Sequence, residues 1–200
     1  MAKLVVLRHS RAVANEQHIL MGRKLDSPLS EGGIALAHKK GKALRAQSFK
    51  PDKVYTSQLR RAVQTAQILL AEIGSDTEII QLADLNERDF GQYDGRPYAA
   101  VLNAFATFGD NPPTIEPVTA FITRVSRVLA RLKRSTGTTL VITHSNPAMV
   151  MQAALFHPKK LQRFWDIGDP QYCEGFIYEY EVAAERSLKR LFFPDHHTDE

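Results

Sequence analysis

A short apolar run at residues 4–7 ends abruptly on Arg8 and His9. A run of Val and Leu of this length is typical of a buried strand in a parallel sheet. Ligands of open α/β sheets bind just beyond the carboxyl ends of the strands, so this strand would carry a guanidinium and an imidazole to the binding edge. An isolated Arg-His pair is more often an ordinary surface pair, and the prediction therefore depends on whether the pattern recurs.

The same pattern recurs twice further along the chain. Residues 138–143 predict a second buried strand that ends on His144, and residues 53–56 predict a third that leads into a helix opened by Ser57. Arg61 would lie in the first turn of that helix, where free backbone N–H groups and the positive dipole end favour anions. If the three strands are parallel, two arginines, two histidines and a helix N-terminus meet in one crevice. That combination describes a phosphate site.

The rest of the chain alternates between strands and helices. The predicted helices run from the N-cap Ser30 to residue 44, from Ser57 to a stop at Gly74, over residues 97–107 and 118–132, and from Pro147 to residue 155. Further strands are predicted at residues 78–82 and, as an edge hairpin, at residues 176–182 and 188–193. This alternation predicts a three-layer α/β/α fold with a mostly parallel central sheet. We expect one domain over residues 1–194 and a disordered polar tail at residues 195–200.

Two details of the predicted helices carry structural expectations. Gly32 and Gly33 weaken the first turn after Ser30, which predicts a close backbone approach there. The helix at residues 118–132 has a basic face, which we interpret as solvent-exposed. The basic residues of that face are Arg124, Arg127, Arg131, Lys133 and Arg134.

Composition narrows the classes of protein. The balance of 26 Lys+Arg against 22 Asp+Glu gives a net charge of +4, which suits an anionic substrate. Aromatic residues interleaved with basic ones are absent, so no nucleic-acid partner is expected. The single cysteine, Cys173, cannot form an internal disulfide and fits a reducing compartment. The run at residues 4–7 is too short for a secretory leader and no stretch approaches a membrane span, so we expect a cytoplasmic protein with no membrane partner.

Four ordered motifs resemble the histidine phosphatase superfamily, which contains the cofactor-dependent phosphoglycerate mutases, the fructose-bisphosphatase domains and many small-molecule phosphatases. The motifs are Arg8-His9-Ser10, Ser57-x-Leu59-x-Arg61-Ala62-x-Gln64-Thr65-Ala66, Leu85-x-Glu87-x-x-Phe90-Gly91-x-x-Asp94-Gly95 and Thr143-His144-Ser145. The resemblance covers residues 3–156 and includes Asn15, Gly22 and Pro28-Leu29-Ser30. It implies a phosphoglycerate mutase-like fold.

The resemblance also implies a role for each residue of the crevice. His9 would attack the phosphorus and carry the phosphoryl group as a phosphohistidine, which splits one displacement into two easier ones. A hydrogen bond from its other ring nitrogen to the backbone would keep the attacking nitrogen unprotonated. Nothing in this mechanism requires a metal or a cofactor. The phosphoryl oxygens would be held by Arg8, Asn15, Arg61, His144 and Ser145.

Glu87 would protonate the leaving alkoxide and then accept a proton from the attacking water. For this it should lie in a partly desolvated loop, which raises the pKa of a carboxyl group. Taken alone, Glu87 is better explained as a surface carboxylate paired with Arg88, and His144 could be a hydrogen-bonded core histidine. Three nearby carboxylates are alternatives for the acid, namely Asp84, Asp89 and Asp94.

The sequence departs from the family pattern around these motifs. Ser10 and Arg11 follow the Arg-His pair where Gly and then Glu or Gln are usual. Asp94-Gly95 replaces the usual Glu-Gly, and Ser145 replaces the common Gly after the second histidine. These changes remove no catalytic group, but they affect what the substrate pocket is expected to accept.

A phosphatase that hydrolyses phosphate monoesters is the expected activity. Mutases usually carry a longer basic insert between the acid and the second histidine, whereas only residues 97–137 intervene here. A non-catalytic phosphate-binding module is the other alternative, disfavoured because binding alone needs no acid beside His9 and His144. The expected partner is a small phosphorylated substrate, and the hairpin leaves a monomer or a homodimer open. Basic residues near the presumed mouth suggest a substrate with more than one negative group: Arg11, Arg23, Lys24, Arg88 and Arg96.

Overall fold

The computed structural model describes residues 2–181 and 186–192. Its strands are β1 (Ala2–Arg8), β2 (Lys53–Thr56), β3 (Ile79–Gln81), β4 (Gly137–Thr143), β5 (Gly175–Glu181) and β6 (Arg186–Phe192). Its α-helices are α1 (Val13–Glu16), α2 (Glu31–Ala46), α3 (Arg60–Ile73), α4 (Tyr98–Phe108), α5 (Val118–Leu132) and α6 (Ser145–Phe156). Short 3₁₀ segments lie at Ala83–Leu85, Gly91–Tyr93 and Pro158–Ile167.

The sheet has the strand order β3-β2-β4-β1-β5-β6. The first four strands are parallel, and β5 and β6 add an antiparallel edge. Arg8 is in register with Thr143, and Thr56 with Ile142, so β1, β4 and β2 end at the same level of the sheet. The predicted α/β fold with a mostly parallel sheet is confirmed.

Two apolar layers cover the two faces of the sheet. Leu4 and Val6 of β1 pack towards α5 and α6, whereas Val5 and Leu7 pack towards α2 and α3. This alternation follows from the period of two along a strand. The four side chains are completely buried, which explains why β1 is an unbroken apolar run.

Two helix ends are fixed by local signals. The Ser30 side chain accepts a hydrogen bond from the Gly33 N–H, and Gly74 ends α3 in the left-handed conformation at φ 66°. A Cβ atom at Gly33 would lie 1.8 Å from the Arg11 carbonyl oxygen, so the predicted close approach occurs there. The prediction that Ser57 opens α3 is wrong, because the helix begins at Arg60 with Leu59 as its N-cap.

The basic face of α5 is only partly exposed. Arg127, Arg131 and Arg134 are exposed, as predicted. For Arg124 the prediction is wrong, because its side chain is only 12% exposed and its guanidinium is bonded to neighbouring segments.

The remaining predictions concern the ends of the chain. The edge hairpin is confirmed as β5 and β6, while its predicted end residues Val182 and Phe193 lie outside the described residues, as does the tail at 195–200. Within the described part of the chain, no helix is long and apolar enough to cross a membrane.

Candidate active site

The carboxyl ends of β1 and β4 bring the two predicted histidines together. The ring centroids of His9 and His144 lie 5.0 Å apart. The His9 N–H donates to the Thr143 carbonyl oxygen at 2.8 Å, which continues the strand pairing into the site. Arg61, one residue into α3, donates its Nε–H to His9 Nε2 at 3.3 Å. Three strands that are distant in sequence therefore supply one cluster, as the strand-end pattern predicted.

The hydrogen bonds of His9 define its tautomer. His9 Nδ1 lies 2.6 Å from the Ser10 carbonyl oxygen, which can only accept, so Nδ1 carries the proton and the electron pair of Nε2 accepts the Arg61 N–H. Burial lowers the pKa of His9 well below its usual value, and the positive charges of Arg61 and Arg8 lower it further. The imidazole is therefore neutral, with its basic nitrogen directed at the guanidinium of Arg61.

Arg61 is held in place by a loop that precedes α2. Its side chain is 1% exposed, and its Nη2 and Nη1 groups donate to the carbonyl oxygens of Gly22 at 3.0 Å and Leu25 at 3.2 Å. Asp94 holds the same loop, since its carboxylate accepts from the N–H groups of Gly22 and Lys24 at 2.9 and 2.6 Å. Asp94 thus positions Arg61 through the loop. This contact explains why the motif at residues 85–95 has a carboxylate at position 94.

Arg8 precedes His9 at the end of β1 and packs against Tyr172. Its guanidinium carbon is 4.1 Å from the centre of the Tyr172 ring, close enough for a cation–π contact. Its Nη1 donates to the Asp169 carboxylate and to the Pro170 carbonyl oxygen, both at 2.9 Å. The Ser145 hydroxyl donates to the same carboxylate. Arg8 and Ser145, which are both predicted to bind phosphoryl oxygens, therefore share Asp169 as a hydrogen-bond acceptor.

His144 caps the start of α6 and is completely buried. Its Nε2 is hydrogen-bonded to Ser57 Oγ at 2.7 Å, while its Nδ1 has no hydrogen-bond partner among the described residues. Burial lowers the pKa of His144 well below its usual value, and the charge of Arg61 adds to this shift. A neutral imidazole is the result. Ser57, which does not cap α3, instead orients this ring.

Glu87 is 5% exposed, so the interpretation as a surface carboxylate is wrong. Its carboxylate accepts from the N–H groups of Arg88 at 2.8 Å and Asn146 at 3.4 Å. Burial raises its pKa above the usual value, while the two N–H groups and the charge of Arg61 oppose that rise. The guanidinium of Arg88 does not pair with Glu87 but donates to the carbonyl oxygens of Glu116 at 2.8 Å and Asp110 at 3.1 Å.

The family model of the histidine phosphatase superfamily (branch 1) matches residues 4–189. The chain belongs to this superfamily. The putative phosphoserine phosphatase 2 of Hydrogenobacter thermophilus is 30% identical over 199 residues, which cover 94% of this chain and 93% of that protein. Bacillus stearothermophilus YhfR has the same fold, with a TM-score of 0.80 at 23% identity over 94% of this chain and 95% of that one.

A curated mutase sequence of the superfamily matches a shorter segment. The 2,3-bisphosphoglycerate-dependent phosphoglycerate mutase of Parvibaculum lavamentivorans is 40% identical over 93 residues. Those residues are 46% of this chain, and they span only 44% of the mutase. The shared motifs therefore establish the histidine phosphatase family but leave the final acceptor of the phosphoryl group open.

A cavity of about 430 Å³ opens in front of this cluster. Five of the predicted site residues line it: Arg8, His9, Asn15, Glu87 and Ser145. Arg61 and His144 are buried next to His9 and are not among the residues that line the cavity. Asn15 accepts a hydrogen bond from the Ala12 N–H at 2.9 Å through Oδ1, which leaves its amide N–H groups as donors. The alternative acids Asp84, Asp89 and Asp94 do not line the cavity.

Two residues that depart from the family pattern, Ser10 and Arg11, lie in different surroundings. Ser10 is buried, and its hydroxyl donates to the Gly33 carbonyl oxygen at 2.6 Å. Its backbone does not adopt the left-handed conformation, so this position does not require a glycine. Arg11 lies outside the lining, with its guanidinium carbon 5.7 Å from the centre of the Tyr172 ring. Among the described residues, no group of three or more His, Cys, Asp or Glu side chains is arranged to hold a metal ion.

Sequence reasoning missed three residues that touch or position the predicted site. Tyr172 and Asp169 contact Arg8 from a segment that carries no recognisable motif. The pattern of α5 predicts that Arg124 belongs to a solvent-exposed face, whereas its guanidinium donates to the backbone of the segment that carries Glu87. The only available signal was its position on α5 next to apolar residues, which does not distinguish it from Arg127.

Proposed function

We propose that this histidine phosphatase hydrolyses phosphate monoesters through a phosphohistidine intermediate on His9, with Glu87 as the proton donor. The observation that carries the proposal is a pair of buried groups that line one cavity in complementary protonation states. His9 is neutral with Nε2 unprotonated, and Glu87 is biased towards its protonated form. A nucleophile and a general acid require these states.

In the first step, the electron pair of His9 Nε2 forms a bond to phosphorus, and the bond between phosphorus and the ester oxygen breaks. The proton of Glu87 moves to the leaving oxygen, so an alcohol departs rather than an alkoxide. In the second step, water attacks the phosphohistidine and gives a proton to the Glu87 carboxylate. The bond between nitrogen and phosphorus breaks, and inorganic phosphate leaves with His9 again neutral.

The phosphoryl oxygens carry negative charge throughout both steps. Arg61 is bonded to His9 and Arg8 lines the same cavity, so two guanidinium groups can stabilise this charge without proton exchange. Asn15 and Ser145 add neutral donors at the cavity wall. Arg8 and Ser145 are bonded to Asp169, so an entering phosphate group would compete with that carboxylate.

Transfer to water is favoured over transfer to a second substrate. The putative phosphatase of Hydrogenobacter thermophilus aligns over 93% of its length, whereas the mutase of Parvibaculum lavamentivorans aligns over 44% of its length. A mutase would return the phosphoryl group from His9 to phosphoglycerate, and it would therefore release little phosphate.

Rapid acid-free quenching with a ³²P-labelled phosphate ester tests the proposal. The full chain should become labelled in an acid-labile, alkali-stable form before phosphate appears, and His9→Ala should neither label nor turn over. His38→Ala, which changes a histidine paired with Glu72 on the surface, should behave like the wild type. If vanadate binds but no ester is hydrolysed, the chain is a binding module. If label moves to added phosphoglycerate faster than to water, it is a mutase.

A further inference from the structure

The cavity that His9 lines also has an apolar wall, which is built largely by α4. Tyr98, Val101, Leu102 and Phe105 lie at helical spacings of three and four and line the cavity from this helix. Further apolar side chains line it from other segments: Leu20, Met21, Phe90 and Trp165. The wall is thus formed by aliphatic and aromatic groups of four separate segments.

Two large side chains of this apolar wall are exposed to solvent, although burial of apolar surface is favourable. Leu102 is 66% exposed and Tyr98 is 42% exposed, although both belong to the lining. Large apolar side chains gathered in a concave site are typical of a surface that a ligand covers. Because these residues face the cavity that contains His9 and Glu87, the group that covers them is the alcohol portion of the ester.

The charges near this wall do not suit a second phosphate group. The Arg88 guanidinium carbon lies 5.7 Å from the centre of the Phe105 ring, and Asp110 is a carboxylate that lines the same cavity. That guanidinium already donates to two backbone carbonyl oxygens. A second phosphate group would therefore approach a negative charge and a cation that is already hydrogen-bonded.

Of the five basic residues that suggest a multiply charged substrate, four do not line the cavity. Arg23 pairs with Glu116 at 3.7 Å, and Lys24 Nζ lies 3.5 Å from the Gly91 carbonyl oxygen. Neither residue lines the cavity, and the same holds for Arg11 and Arg96. The expectation from charge alone is therefore not supported by the positions of these side chains.

We propose that the substrate is a phosphate monoester of a ring-bearing, largely apolar alcohol that carries no second phosphate group. The inference rests on the proposed function and names its substrate class. The phosphate binds beside Arg8 and His9, and the ring covers Leu102 and Phe105 of α4. A volume of about 430 Å³ accommodates one or two fused rings next to the phosphate.

Two matched pairs of alkyl esters test the inference with the full chain. Propyl phosphate and 3-phenylpropyl phosphate differ by a ring, and hexyl phosphate and hexane-1,6-diyl bisphosphate differ by a second phosphate group. The leaving alcohols within each pair have similar reactivity, so kcat/KM reports recognition. We expect kcat/KM to rise roughly 10- to 100-fold with the ring and to fall at least about tenfold with the second phosphate group.

Two substitutions on α4 test whether the preference for the ring-bearing ester depends on the apolar wall of the cavity. Leu102→Ser should lower the ratio of kcat/KM for 3-phenylpropyl phosphate to that for propyl phosphate at least about threefold. Phe108→Ser is the matched control, because Phe108 is 53% exposed on the same helix but does not line the cavity. It should leave the ratio unchanged. Equal values for the members of the first pair, or a preference for the bisphosphate, would overturn the inference while hydrolysis itself stands.

Calorimetric binding of the corresponding phosphonates separates the two proposals. 3-Phenylpropylphosphonate should bind at least about tenfold more tightly than propylphosphonate, whether or not esters are hydrolysed. If this preference occurs without turnover, the proposed hydrolysis fails and the apolar site remains. If turnover occurs without the preference, the apolar site fails.

Discussion

His9 and Glu87 are both removed from solvent, and burial moves their pKa values in opposite directions. The pKa of His9 falls, which favours the neutral imidazole, and the pKa of Glu87 rises, which favours the neutral carboxylic acid. Both shifts have the same cause, because a low-dielectric environment disfavours whichever form is charged. One buried environment thus prepares a nucleophile and an acid at the same pH.

The loss of the acid should depend on the leaving group. Glu87→Gln keeps the size and polarity of the side chain but removes its transferable proton. For an alkyl phosphate we expect kcat to fall about 10²- to 10⁴-fold, the usual contribution of general acid catalysis. For 4-nitrophenyl phosphate, whose leaving oxygen needs little protonation, the loss in the first step should be much smaller. Stopped-flow release of the alcohol measures this step, and equal losses for the two esters would contradict the acid role.

The pH dependence of kcat/KM should also reflect the protonation of Glu87. Hydrolysis of an alkyl ester requires protonated Glu87, so kcat/KM should decline as the pH rises through the raised pKa of Glu87, above its usual value of 4.5. In Glu87→Gln this decline should disappear, because no proton is lost from that side chain. Initial rates of both forms between pH 4.5 and 9 test the prediction. A decline that persists unchanged in the variant would assign it to another group.

The segment that carries Glu87 depends on α5 for its position. Arg124 donates through Nη1 to the carbonyl oxygens of Asp84 and Asn86, both at 2.9 Å, and through Nη2 to that of Glu87 at 3.3 Å. Its charge is balanced by Glu116, at 2.8 Å, and these bonds lower the pKa of Glu116. One guanidinium therefore joins three backbone carbonyl groups to a helix that belongs to the core.

Removing this contact should impair both stability and the acid step. Arg124→Met leaves the carbonyl groups and Glu116 without their donor, and we expect the free energy of unfolding to fall by about 1–3 kcal/mol. A displaced Glu87 should also lower kcat for alkyl esters roughly 10- to 100-fold, with a much smaller loss for 4-nitrophenyl phosphate. Arg127→Met, at a position with 71% of the side chain exposed, is the matched control. If both esters lose activity equally, Arg124 acts on the fold alone.

Elements defined by local patterns could be predicted from the sequence, whereas contacts between distant segments could not. The Ser30 cap, the Gly74 stop and the apolar face of α5 are local features, and the structure has all of them. Ser57 has the chemistry of an N-cap, but its hydroxyl is bonded to His144, which lies 87 residues away. A tertiary partner thus overrides a local preference, and no local pattern contains that information.

At the scale of the whole molecule, the sheet determines where the site forms. Neighbouring parallel strands end at one level, so three strand-end motifs predicted the His9, Arg61 and His144 cluster before any contact was known. The partners of Arg8 could not be predicted in this way. Asp169 is 161 residues from Arg8 in sequence, on a segment that follows no periodic pattern. Its position depends on the path of the chain between α6 and β5.

This arrangement should also make the stability of the whole protein sensitive to acid. The pKa values of His9 and His144 are lowered in the folded state, whereas an unfolded histidine titrates near 6.5. Below pH 6.5 the unfolded chain therefore binds protons that the folded chain does not, and the free energy of unfolding falls by up to about 1.4 kcal/mol per pH unit for each histidine. Glu87 acts in the opposite sense, because its raised pKa reduces stability as the pH rises above 4.5.

Urea unfolding between pH 7.5 and 5.0 separates these contributions. The wild type should lose stability towards pH 5.0, and His9→Asn should lose less over the same interval because one buried imidazole is absent. Glu87→Gln should lose more, because the opposing carboxyl group is gone. The comparison uses the dependence on pH, so a constant loss of stability caused by either substitution does not affect it. If His9→Asn has the wild-type dependence, the buried imidazole is not excluded from protonation in the folded protein.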